Sequence, residues 1–157
     1  MSAYDTDLVS WSEHQAALLR QHGAATRTND LVIDWPNIIE EIESVGRSER
    51  LALASHVAII LEHLAKLEAS PAAERPNGWR QTVRRARAAV DEVLEESPSL
   101  RPTLGALIKR ALGRLPLLVA NALADYAETP RVNLHEIDYT IEQVLGPWLP
   151  GDPDLEP

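Results

Sequence analysis

Apolar residues recur at helical spacing through most of the chain. The longest run is WPNIIEEIESVGRSERLALASHVAIILEHLAKL, in which Ile38, Ile42, Val45, Leu53, Ile60, Leu64 and Leu67 hold one phase on both sides of Gly46. Retained phase predicts a single long helix with a bend at the glycine, about 48 Å from Pro36 to Leu67 at 1.5 Å per residue. Pro36 suits the first turn, where its missing N–H costs nothing, and Ser70-Pro71 closes the helix. The remaining elements are expected to pack on this stripe.

Four further helical stretches follow from the same reading. Leu8, Trp11, Gln15, Leu18, Leu19 and His22 share one side of a helix from Asp5 to His22, capped by Asp5 or Thr6 and ended by Gly23. Residues 24–34 carry no stable period and read as an extended connection. A third helix runs from Trp79 to about Glu96, with Asn77 as its cap and Trp79, Val83, Ala86, Val90, Val93 and Leu94 on its buried side. In the fourth stretch Leu100, Leu104, Leu107, Ala111, Leu115, Leu118, Ala122 and Tyr126 keep phase, but Pro116 lies inside it and predicts a kink or break near Leu112 to Leu115. Thr140-Ile141-Glu142-Gln143 has the form of a capping box opening a short helix that Gly146-Pro147 stops. The expected fold is all-α: a single-domain helical bundle of about five helices with one long central helix. It occupies residues 1–150, and residues 151–157 form a disordered acidic tail.

Composition narrows the class. Aromatic residues are 4% of the chain and Phe is absent, while hydrophobic residues are 45%, a mixture that disfavours strands. No window of 18 uninterrupted apolar residues occurs, and the acidic start MSAYDTDLVSW is unlike a signal peptide, so a soluble cytoplasmic protein without membrane attachment is expected. The absence of Cys removes disulfides, thiolate metal sites and cysteine nucleophiles. A net charge of −9 repels phosphate backbones, which makes nucleic acid an unfavoured partner.

A resemblance covers nearly the whole chain. Tyr4-Asp5 with Trp11 and Gln15, the run Asn37 to Gly46, His63-Leu64-Ala65-Lys66, Trp79-Arg80-Gln81-Thr82-Val83, Ser97-Pro98-Ser99-Leu100 and Ile141 to Leu145 with Leu149-Pro150 resemble, in order, a bacterial all-helical family known as domain of unknown function 29. Leu67 stands where that family often has an aromatic, and Pro130 where a glycine is expected. The resemblance implies an all-helical bacterial protein and carries no catalytic roles.

Candidate chemistry is sparse. Glu49, His56 and His63 recur every seven residues inside the long stripe, but seven residues of helix span about 10.5 Å, too far for two of them to hold one ion. No metal and no cofactor are therefore expected. Glu40 and Glu43 lie one turn apart, yet no nucleophile accompanies them, and acids early in a helix complement its dipole. Arg80, Arg84 and Arg87 share one face at 4 and 3 spacing. Such a row binds phosphate or carboxylate groups, or forms a salt-bridged face against the Glu40 to Glu49 acids, the preferred reading. Arg87 borders the apolar side, and Asp125 falls in the fourth stripe as its possible counter-ion. The three groups of the long stripe each require a partner from another helix, with Arg87, Asp125 and Gln15 as suppliers.

No catalytic residue is assigned. The first functional reading is a non-catalytic module for protein interaction or self-association, as a homodimer or with another protein. The second is a small-molecule site or enzyme with a polar pocket lined by Glu49, His56, His63, Trp79 and Arg87.

Overall fold

A computed structural model describes residues 2–25, 33–72 and 76–152. Among the described residues there is no strand, and the helices are α1 (Ala3–Thr6), α2 (Leu8–Ala25), α3 (Trp35–Ala69), α4 (Pro76–Glu96), α5 (Leu104–Leu112), α6 (Leu115–Ala124) and α7 (Ile141–Leu145). A 3-10 helix, Pro98–Thr103, links α4 to α5. The count exceeds five because the first predicted helix divides at Asp7 and the fourth at Gly113-Arg114, where Pro116 requires a break. Most of the connection at 24–34 and all but two residues of the tail at 151–157 lie outside the described residues. None of the described helices is long and apolar enough to cross a membrane.

The long helix is continuous, 35 residues through Gly46. Its buried positions are Ile39, Leu53, Ile60 and Leu67, with Gly46 on the same seven-residue repeat and Val57, Leu61, Leu64 and Ala65 widening the face toward the C-terminus. Ile38, expected in the stripe, is exposed and its neighbour Ile39 is buried instead. Glu49, His56 and His63 occupy the margin of the face and are half-buried, not inside it as the phase through Ile38 suggests.

The chain forms two compact units. One comprises residues 1–53 with 92–101, and the other 54–91 with 102–157. In the first, α2 meets the N-terminal part of α3 through Val9 and Ser12, both buried. A Cβ placed on Gly46 would lie 2.8 Å from Ser12 Oγ, so glycine here permits close approach of two helices. Arg20 with Glu43 and Arg50 with Glu13 pair across this contact. Asp7, not Asp5 or Thr6, caps α2: its carboxylate accepts from Ser10 N–H at 2.8 Å, and from Ser99 N–H at 2.7 Å and hydroxyl at 2.9 Å. Burial disfavours the Asp7 charge, but these donors outweigh it and hold its carboxyl below the ordinary range.

In the second unit the core is Val57, Ile60, Leu61 and Leu64 of α3, Val83 and Val90 of α4, and Ile108, Leu115, Val119, Leu123, Val144 and Leu149. Polar contacts secure the segment between α6 and α7. Tyr139 hydroxyl donates to Glu68 Oε2 at 2.7 Å, Ser70 hydroxyl to Glu128 Oε2 at 2.6 Å, and Arg131 to the carbonyls of Glu68 and Ala69. Glu128 reaches Ser70 because α6 ends in a Schellman turn, with Ala127 at φ 57 and Glu128 N–H donating to Leu123 O. The capping box at α7 forms as predicted, with Gln143 N–H on Thr140 Oγ1 and Thr140 N–H on Gln143 Oε1.

Candidate functional site

Among the described residues Arg87 is the buried charge of the second unit, 8% exposed on the inner side of α4. Its Nε donates to Val144 O at 2.8 Å, and its Nη2 donates to Gln143 O at 2.7 Å and Trp148 O at 2.8 Å. Two of these carbonyls belong to the last turn of α7, where helical partners run out and the dipole favours a cation. Burial lowers the guanidinium to about 10, which leaves it protonated at neutral pH. Asp125 is exposed beyond α6 and is not its counter-ion. Backbone carbonyls take that role, because a planar fork of donors fits several acceptors at a helix end. Gly146 completes the joint: a Cβ there would sit 2.5 Å from Glu142 O.

Beside Arg87 an open cleft of about 440 Å³ is lined by Arg84, Arg87, Ala88, Asp91, Leu145, Gly146 and Pro147. The outer face of α4 continues from it. Arg84, Arg85, Asp91, Glu92, Glu95 and Glu96 are exposed, and none of them forms an ion pair among the described residues. Arg80 is also unpaired there, with its Nε buried and without a hydrogen bond. Glu40 pairs with Arg47 at 2.7 Å and Glu43 with Arg20, since short-range partners lie on α3 itself and on α2.

The five residues singled out from sequence do not converge on one another by hydrogen bond or ion pair. Glu49 belongs to the first unit, and His56, His63, Trp79 and Arg87 to the second. His63 Nδ1 is 2.9 Å from Ile59 O, and because a carbonyl only accepts, that nitrogen carries the proton. Its partner comes from its own helix, not from another, since a marginal side chain reaches the preceding turn. His56 and Trp79 are half-buried. Among the described residues no group of three or more His, Asp or Glu is arranged to hold a metal ion. Three further joints, Asp7 with Ser99, Ser70 with Glu128 and Tyr139 with Glu68, had no signal in the sequence, because each joins polar residues 58 to 92 positions apart.

Glu49 supplies a pH test. Burial, and then the charge of Glu96, raise its carboxyl above the ordinary 4.5. The folded chain thus binds this proton more tightly than the unfolded one, so stability falls as pH rises from 4.5 through the raised value, and the deficit is complete above it. Glu49→Gln is expected to be more stable than the parent at pH 7 and to lose that margin at pH 4. Thermal unfolding of both proteins at the two pH values checks it. A margin unchanged by pH would refute the assignment.

Comparison with known proteins adds family and fold. A family model described as "Domain of unknown function DUF29" matches residues 3–149. The crystal structure of an alpha-helical protein of unknown function from Rhodospirillum rubrum is similar over 94% of this chain and 91% of that one, at 24% identity and a TM-score of 0.76. No curated protein matches the chain.

Proposed function

This chain belongs to the family described as domain of unknown function DUF29, and from the geometry of α4 we propose that it is a non-catalytic helical module that binds a protein partner. The observation that carries the reading is the outer face of α4. Arg80, Arg84 and Arg85 lack an acidic partner among the described residues, whereas Arg20, Arg47 and Arg50 of the first unit each have one. Unpaired like charges one turn apart destabilise a helix by roughly 0.2–0.5 kcal/mol per pair, a cost that an external partner removes. Two features weigh against a small-molecule site. Arg87 spends its Nε and Nη2 on carbonyls, and the cleft beside it is open rather than enclosing.

Binding of polyglutamate to dilute, dye-labelled protein tests this. Saturable binding is expected, weakened by Arg84→Ala with Arg85→Ala and by added salt. Inorganic phosphate and citrate are expected to raise the melting temperature no more than sodium chloride of equal ionic strength. A saturable rise with either small anion, lost in the same variant, would replace the module with a small-anion site; a protein that sediments as a monomer and binds no polyglutamate would remove the reading.

A further inference from the structure

We propose that the protein partner is a second copy of this chain, with α4 packed antiparallel on α4 of the second copy about a two-fold axis at Ala88. The inference rests on the module reading above and names its partner. Its basis is the order of charges along one helix. Arg80, Arg84, Arg85 and Arg87 precede Ala88, and Asp91, Glu92, Glu95 and Glu96 follow it. An isolated helix favours the opposite order, with acids near its positive N-terminus and bases near its negative C-terminus. Nor do the charges satisfy one another within the helix. No acid stands three or four positions from Arg80, Arg84 or Arg85, and no base stands at those distances from Glu92, Glu95 or Glu96.

An antiparallel twin gives an opposite charge to each of them but Glu95, which meets the Gln81 amide. Each position then faces the one equally far on the other side of Ala88. Arg84 faces Glu92 of the second copy, Arg85 faces Asp91, Gln81 faces Glu95 and Arg80 faces Glu96, and symmetry repeats every pair. Gln81, Arg84, Arg85, Ala88, Glu92 and Glu95 follow one another at steps of one to four along a single exposed stripe. The smallest side chain sits at the crossing point, which lets helix axes approach to about 8 Å. The open cleft lies at the same place: Ala88 lines it together with Arg84, Asp91, Leu145 and Pro147, giving the second helix apolar walls between charged rims.

Sedimentation velocity and cysteine cross-linking test the arrangement. The parent is expected to be a dimer whose association weakens with salt. Arg84→Glu with Arg85→Glu, and separately Asp91→Arg with Glu92→Arg, are expected to lower self-association by about 100-fold or more while keeping the parent circular dichroism. Mixing the two variants restores a heterodimer, since every reversed end then meets its complement. The chain contains no cysteine, so introduced thiols report position without background. Ala88→Cys alone cross-links to itself, whereas Gln81→Cys and Glu95→Cys cross-link only when mixed. A dimer that survives both reversals, or fails to reappear on mixing, would overturn the arrangement. A monomer that still binds polyglutamate through Arg84 and Arg85 would refute self-association and leave the module reading standing; a monomer that binds none would remove both.

Discussion

Replacing Arg87 by methionine is expected to lower the unfolding free energy by about 2–4 kcal/mol. The methionine stem replaces the aliphatic part of the arginine, so the loss reports chiefly on the charged donors rather than on lost apolar packing. Three carbonyls at and just beyond the end of α7 would lose their partner at once, next to the buried Val144 and Leu149. Arg87→Lys retains the charge but offers a compact ammonium in place of a fork, and is expected to recover less than half of the loss. Urea unfolding followed by circular dichroism gives the size, and amide hydrogen exchange in residues 141–149 gives the location. Because a domain of this size is stable by roughly 5–15 kcal/mol, the effect is a large share of the total. An Arg87→Met protein within about 0.5 kcal/mol of the parent would show that these bonds carry little.

What could be read from the sequence divides along physical lines. Continuity of α3 was legible because phase is a property of many residues, and no single glycine resets it. The break before Pro116 and the capping box at Thr140 were legible because each is local, decided within four residues by the backbone donor that proline lacks or the hydroxyl that threonine supplies. The partner of Arg87 was not. A guanidinium bound to backbone carbonyls 56 to 61 residues away leaves no complementary side chain to find. The position of Glu49, His56 and His63 also misled, because a stripe drawn through Ile38 is displaced by one residue from the true face through Ile39 and Gly46. That displacement moves three polar residues from the margin into the apparent core. Family membership supplies no activity that would single out residues, so the charge order of α4 stands as the most informative functional feature of the chain.

Gly46 is where α2 side chains approach the α3 backbone, and two substitutions there are expected to behave differently. Gly46→Leu would force α2 and α3 apart, at a cost of about 3–5 kcal/mol, enough to open the first unit near physiological temperature. Gly46→Ala is the sharper case, because two effects of similar size oppose each other. Alanine gains about 1 kcal/mol of helix propensity over glycine, while its methyl would lie 2.8 Å from Ser12 Oγ. Ser12 is fully buried, and its hydroxyl is held by donation to Val9 O at 2.9 Å, so it does not rotate away freely. The clash is expected to win, leaving Gly46→Ala less stable than the parent by about 1 kcal/mol. The other neighbours of such a methyl are the flexible end of Arg50 at 3.4 Å and Val9 Cγ1 at 3.7 Å, which tolerate it. Once Ser12→Ala removes the hydroxyl, the same Gly46→Ala change should therefore reverse sign and stabilise by about 0.5–1 kcal/mol. A double-mutant cycle of the two single variants and their combination, read by chemical denaturation, measures the coupling. If Gly46→Ala has the same sign in both backgrounds, Ser12 is not what requires glycine at this crossing, and the close approach of α2 to α3 rests on other atoms.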